Sequence, residues 1–98
     1  LVLPGGIDPH THLHPGFVDD MTSGSQAALA GGITTVGTFA TPRQGESAMD
    51  AMARMEATVV REAIADVILH ASVWPPNADL LAALPQLVEQ GQPSIKFY

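Results

Sequence analysis

The sequence of 98 residues contains no cysteine and few charged side chains. The lack of cysteine excludes disulfides and thiolate-ligated zinc sites, and it is compatible with the cytoplasmic location that we predict. Charged residues make up 14% of the chain, against about 25% in an average soluble domain, whereas hydrophobic residues make up 46%. This balance argues against intrinsic disorder, because the chain has enough apolar surface to form a core.

Basic residues are scarce as well. Four Lys or Arg residues stand against ten Asp or Glu residues, which gives a net charge of −6. Nucleic acids and anionic membranes are bound by clustered Lys and Arg, so the composition argues against both as partners. No run approaches the roughly 18 apolar residues of a transmembrane helix without Gly, Pro or a polar residue.

The chain begins at Leu1 without an initiator methionine, and it stops within the strand-like pattern of residues 94–98. Domains seldom end inside a buried strand. We therefore expect these residues to be a fragment of a larger domain, whose remainder would cover part of the apolar surface.

The hydrophobic periodicity alternates between strand and helix along the chain. It predicts strands at residues 6–12, 33–40, 67–73 and 94–98, and helices at about residues 20–30, 46–65 and 77–90. Asp19 or Asp20 is expected to cap the first helix, and Pro85 to kink or split the third. The third helix is expected to bury one apolar set, namely Leu80, Leu81, Leu84, Leu87 and Val88.

The predicted order β-α-β-α-β-α-β indicates an α/β fold with parallel strands and right-handed crossovers. Such a chain is either half of an eight-stranded barrel or part of a doubly wound open sheet. No dinucleotide-binding or P-loop glycine motif follows any predicted strand, so the nucleotide-binding form of the open sheet is disfavoured.

The densest chemical signal is the segment Asp8–His14, DPHTHLH. Residues two apart in a strand point the same way, so His10 and His12 are expected to project together. Two imidazoles at the carboxyl end of a barrel strand are placed to hold a divalent metal. The alternative is a cluster of histidines on the surface. His70, in the third predicted strand, is interpreted as a hydrogen-bonded core histidine.

The chain contains a single lysine, Lys96, which is predicted to share one strand face with Ser94 and Tyr98. In a closed barrel that face is the interior, where burial favours a neutral amine over an ammonium group. A neutral amine can add carbon dioxide and form a carbamate, an anion able to bridge two metals. The alternative is a lysine at a strand end that extends to solvent.

Three stretches together resemble the cyclic amidohydrolases, and most closely their hydantoinase/dihydropyrimidinase branch. They are PGGIDPHTHL at residues 4–13, QAALAGGITTV at residues 26–36 and SIKFY at residues 94–98. The resemblance implies that residues 1–98 are the first half of a (β/α)8 barrel, with strands 1–4 and three helices. It also implies two divalent metal ions, usually zinc, with His10 and His12 on the more buried ion and carboxylated Lys96 bridging both.

The resemblance further implies components that lie beyond Tyr98. Two more histidines, the metal-binding aspartate and the general base are expected there, so we assign no catalytic base within these residues. The expected partners are the remainder of the barrel, a small β-sandwich domain, a small cyclic diamide substrate and further copies of the full-length protein. The isolated 98 residues are expected to be inactive.

Asp8 and His14 complete the set of predicted site residues. Asp8 is expected to orient the histidine ligands or to hold the turn. His14 occupies the position at which dihydroorotases typically carry an arginine for a substrate carboxylate, so we place it on the substrate side. This weakens the dihydroorotase interpretation and favours a neutral cyclic diamide as substrate. A dihydroorotase- or allantoinase-type amidohydrolase is the alternative. A non-catalytic dihydropyrimidinase-related scaffold, or an open-sheet domain with an incidental His-x-His, remains as an alternative.

Overall fold

The computed structural model describes residues 1–14, 16, 19–74, 78–92 and 94–98. The described residues form four strands and three helices: β1 (Gly6–Asp8), α1 (Met21–Ala30), β2 (Ile33–Ala40), α2 (Ala48–Glu62), β3 (Asp66–Val73), α3 (Ala78–Glu89) and β4 (Ile95–Phe97). The strand order is β1-β2-β3-β4, and β1 pairs with β2, and β3 with β4, in parallel. These features confirm the predicted α/β class.

Helix α1 begins at a capping box. Asp20 Oδ1 accepts a hydrogen bond from Ser23 N at 2.8 Å, and Ser23 Oγ accepts one from Asp20 N at 3.2 Å. The bond from the Ser23 main chain lowers the pKa of the Asp20 carboxyl. Gly32, with φ of 81°, turns the chain into β2 after the helix has ended. Of the two predicted caps, the structure therefore uses Asp20. The predicted cap of α3, Asn77, lies outside the described residues.

Helix α2 starts where Ser47 Oγ accepts a hydrogen bond from Asp50 N at 3.1 Å, which agrees with a predicted start at residue 46 or 47. It ends at Glu62 instead of about residue 65. Its buried face follows the helical period and consists of Ala48, Ala51, Met52 and Met55.

The chain divides into two compact units. The first comprises Leu1–Thr38 and Thr58–Ile68. Its most deeply buried side chains include Met21, Ser25 and Val36, each at most 1% exposed. Ser25 Oγ accepts a hydrogen bond from Ile64 N at 3.2 Å, which fixes α1 against the segment that leads into β3.

The second unit comprises Phe39–Ala57 and Leu69–Tyr98, and it includes α3. The prediction for α3 was partly wrong, because Leu80 and Leu87 are buried whereas Leu81 and Val88 are 53% and 58% exposed. Leu80 and Leu87 lie two turns apart, so α3 packs along a narrow stripe and not along the broad predicted face. Pro85 lies inside one continuous helix, so it does not split α3. Over the described ranges, no helix is long and apolar enough to cross a membrane.

Candidate functional site

Strand β1 ends at Asp8 and does not extend to residue 12 as predicted. Pro9 has no backbone N–H and cannot donate to a strand ladder, which explains the early end. Asp8 Oδ1 then accepts a hydrogen bond from His10 N at 3.1 Å. The predicted reason for the common direction of the two histidines was therefore wrong, because they do not lie in a regular strand.

The histidine segment, which we define as Asp8–His14, still runs along β2. Thr11 N donates to the carbonyl oxygen of Gly37 at 2.7 Å, and Leu13 N donates to Thr38 Oγ1 at 3.2 Å. Leu13 is 7% exposed and packs on α1 at Gly24, where an added Cβ would collide with the leucine side chain. Contacts with β2 and α1 therefore hold this irregular segment in place.

The imidazole rings of His10 and His12 lie close together, with centroids 5.4 Å apart and planes inclined by 51°. Two imidazoles on one tetrahedral zinc, each with a Zn–N distance of about 2.0–2.1 Å, have ring centres roughly 5 Å apart. The pair therefore fits one shared divalent ion. Among the described residues, no group of three or more His, Cys, Asp and Glu side chains is arranged to hold a metal.

Asp8 and His14 occupy different surroundings. Asp8 is exposed, and its bond to the main chain of His10 supports the expectation that it holds the turn. His14 is half-buried at a bend directly after Leu13. Both residues thus belong to the histidine segment.

Lys96 lies in the middle of β4, where its register partner on β3 is Ser72. Its Nζ lies 5.1 Å from the ring centroid of Phe39 and 5.1 Å from that of Tyr98, which is the range of cation–π contacts. Lys96 and Tyr98 therefore share one face, as the sequence predicted.

His70 and Ser94 extend this face, with His70 Nδ1 at 2.6 Å from Ser94 Oγ. The ring of His70 also lies 5.7 Å from that of Phe39, between centroids. The hydrogen bond agrees with the predicted pairing of His70, but the residue is half-buried and not part of the core as predicted. We call the set His70, Ser72, Ser94, Lys96 and Tyr98 the lysine face.

Ser72 is a member of the lysine face that sequence reasoning missed. It is 0% exposed, and its Oγ has no hydrogen-bond partner among the described residues. The available signal was strand parity, because Ser72 follows His70 by two residues and so points to the same side of β3.

The carboxyl end of β2 leads into a loop held by an ion pair. Arg54 donates from Nε to Glu46 Oε1 at 2.8 Å, and from its second terminal nitrogen to the carbonyl oxygen of Thr41 at 3.0 Å. The hydrogen bond from Arg54, together with one from Arg43 N, lowers the pKa of Glu46 to about 2. With Trp74 and the first turns of α3, this loop lines a cleft of about 600 Å³.

Comparison with known proteins shows what this chain is similar to. The chain is 40% identical over 108 aligned residues to dihydropyrimidinase 1 of Caenorhabditis briggsae, a match that covers 100% of this chain and 22% of the relative. It is 36% identical over 94 residues to D-hydantoinase of Geobacillus stearothermophilus, covering 91% and 20%. The crystal structure of dihydropyrimidinase from Brevibacillus agri matches with a TM-score of 0.79 and 35% identity, covering 91% of this chain and 20% of that one.

The sequence matches and the structural match are to the same two kinds of protein, dihydropyrimidinases and D-hydantoinases. No family model matches the chain. The chain spans about a fifth of the length of the relatives it matches. The structural match confirms the expected first half of a hydantoinase-type barrel fold. The chain is thus a hydantoinase/dihydropyrimidinase-like member of the cyclic amidohydrolases.

Proposed function

We propose that these residues form part of the metal centre of a hydrolase that opens cyclic diamides by cleaving a ring C–N bond. The observation that carries this proposal is the 5.4 Å separation of the His10 and His12 rings, in a chain related to dihydropyrimidinases and D-hydantoinases. Rings of five and six members are the substrate class that those names indicate.

His10 and His12 would each donate one ring-nitrogen lone pair to the same divalent ion, zinc being the ion that best suits imidazole ligands in a hydrolase. Bound metal ions supply Lewis acidity toward the ring carbonyl and lower the pKa of a water molecule. The two histidines of this chain would hold the metal ion at which that chemistry takes place.

Lys96 would bridge two such ions after carboxylation. Its neutral amine nitrogen forms a C–N bond with carbon dioxide, one C=O π bond opens to give the carbamate anion, and one proton leaves to solvent. The half-buried position of Lys96 beside Phe39 and Tyr98, on the lysine face, supports this role.

Asp8 and His14 would act beside the ligands. Asp8 would hold the main chain at His10, through the hydrogen bond that it accepts there, and so orient the ligating rings. His14, two residues beyond His12, would contact the substrate, and a neutral histidine there suits an uncharged diamide.

The remainder of the barrel and a β-sandwich domain would supply the other ligands and the general base. This part of the proposal is supported by the share of the relatives that the chain spans, about a fifth. We also propose that the full-length protein is a cytoplasmic homo-oligomer. The absence of cysteine is compatible with that location.

Metal analysis of the full-length protein tests the function. We expect bound zinc and turnover of hydantoin or dihydrouracil in the unmodified protein, and a loss of both metal and activity in His10→Ala and Lys96→Ala. The matched control is His14→Ala, which should keep its metal and change mainly KM. Unchanged metal content in both ligand variants contradicts the proposal. A metal-free and inactive unmodified protein supports the scaffold alternative instead.

A further inference from the structure

The hydroxyl group of Ser72 differs from the other polar groups of the lysine face in its hydrogen bonding. Its hydroxyl is fully buried and lacks a partner among the described residues, whereas the neighbouring hydroxyl of Ser94 lies within hydrogen-bond distance of His70. Buried hydroxyl groups are normally paired, because an unpaired one loses its hydrogen bonds to water and gains nothing. The Ser72 hydroxyl therefore points to a missing partner.

The Lys96 side chain extends from β4 toward β2 on the face that it shares with Ser72. Lys96 belongs to β4 and Phe39 to β2, and β3 lies between these two strands in the sheet. The Lys96 Nζ nevertheless lies 5.1 Å from the ring centroid of Phe39, so the side chain leans across β3. Ser72 is the residue of β3 in register with Lys96, and it is completely buried.

The ammonium form of Lys96 cannot accept the proton of the Ser72 hydroxyl. An ammonium group has three donors and no acceptor, so the hydroxyl proton would remain without a partner. Carboxylation leaves one N–H on that nitrogen and adds two oxygens that share one negative charge, and both are strong acceptors. The same reaction that we propose for Lys96 therefore creates a group that the Ser72 hydroxyl can bond.

We propose that Ser72 is a positioning residue whose hydroxyl donates a hydrogen bond to the carbamate formed on Lys96. This inference rests on the proposed function, because it requires carboxylation of Lys96. The bond would stabilise the carbamate against loss of carbon dioxide and fix the direction of its oxygens. A hydrogen bond to an anionic oxygen is roughly twice as strong as one between neutral groups.

Titration of the full-length protein with ¹³C-labelled bicarbonate, followed by ¹³C NMR of the carbamate carbon, tests the inference. We expect Ser72→Ala to raise the bicarbonate concentration for half-carboxylation by about tenfold, the effect of losing one bond to a charged group. Ser25→Ala is the matched control, since Ser25 is equally buried but hydrogen-bonded to Thr22 and Ile64. It should leave the titration unchanged.

Two further measurements separate this role from a purely structural one. The variants Ser72→Thr and Ser72→Val have nearly equal volume and differ in the hydroxyl, so the first should titrate like the unmodified protein and the second like Ser72→Ala. Without bicarbonate, Ser72→Ala should melt at the same or a higher temperature, because it removes a buried hydroxyl that has no partner.

The outcomes distinguish the inference from the function on which it rests. A normal carbamate signal with equal titration of Ser72→Ala and the unmodified protein overturns the inference and leaves the proposed function intact. A signal in the unmodified protein no stronger than in Lys96→Arg overturns both. A tenfold shift confined to the variants without the hydroxyl supports the inference.

Discussion

The histidine segment and the lysine face carry the proposed metal ligands in two different kinds of structure. His10 and His12 follow a strand that has already ended, and they depend on hydrogen bonds from an irregular segment to β2. Lys96 lies within a regular strand, in register with β3 and beside two aromatic rings. The proposed histidine ligands are thus placed by a few individual hydrogen bonds to β2, and Lys96 by strand register.

The histidine segment and the lysine face should therefore respond differently to single substitutions. Positions in an irregular segment are set by a few individual bonds, so one substitution can displace the rings without unfolding the sheet. A side chain in a paired strand keeps its direction as long as the register holds.

Substitution of Gly24 by valine should have the largest effect and should act on the histidine segment. The new Cβ would collide with the end of the Leu13 side chain, so this buried side chain must shift within the histidine segment. Overpacking of this kind costs about 1–3 kcal/mol, which denaturant unfolding measures. The control is Gly31→Ala at the end of the same helix, where the added Cβ makes only ordinary van der Waals contacts. Equal stability of the two variants contradicts the packing argument.

Replacement of Ser94 by alanine tests the lysine face. The half-buried ring of His70 loses its partner at 2.6 Å, so we expect the free energy of unfolding to fall by about 1.5 kcal/mol. Hydrogen exchange should become faster in β4 and stay unchanged in the histidine segment. Ser94→Thr keeps the hydroxyl and should restore most of the stability. Faster exchange around His10 and His12 would show that the two regions are not independent.

Removal of the Asp8 carboxylate should loosen the turn before His10. Asp8→Ala loses the acceptor for His10 N, and we expect about tenfold weaker zinc binding by the full-length protein with little change in melting temperature. Asp8→Asn keeps an oxygen in the same place and should bind zinc normally. If both variants bind zinc equally weakly, the charge of Asp8 matters and its hydrogen bond does not.

The Glu46–Arg54 ion pair should give the smallest effect, and one that depends on pH. The pKa of Glu46 falls from 4.5 to about 2 on folding, so the pair stabilises the fold above pH 4.5 and loses this contribution between pH 4.5 and 2. Glu46→Gln should therefore lower stability by about 0.5 kcal/mol at pH 7 and by nothing near pH 2. If the difference in stability between Glu46→Gln and the unmodified protein persists at pH 2, its origin is not electrostatic.

Most of the fold could be predicted from the sequence because its signals are local. The range of β2 was predicted as residues 33–40 and found as Ile33–Ala40, since β-branched residues follow a Gly-Gly stop. The cap at Asp20 was one of two adjacent candidates, and both precede the same helix. Such features depend on a few neighbouring residues and on periodicity.

The parts that failed depend on contacts between distant residues. The burial of α3 was predicted from its period, but Leu81 and Val88 are exposed because packing within the second unit covers a narrower stripe. Ser72 was missed because a serine within a strand carries no signal by itself. The role that we propose for Ser72 depends on Lys96, its register partner on another strand.

Sequence alone was enough for the parallel α/β order, the approximate range of each element and the residue types able to bind a metal, because spacing and residue type contain that information. Tertiary contacts set how those residues are held, and they are a property of the folded structure. It ended β1 at Asp8, where Pro9 follows, and brought the His10 and His12 rings together through an irregular segment bonded to β2. It also set Lys96 in register with the buried Ser72, since strand register acts between segments that are far apart in the chain.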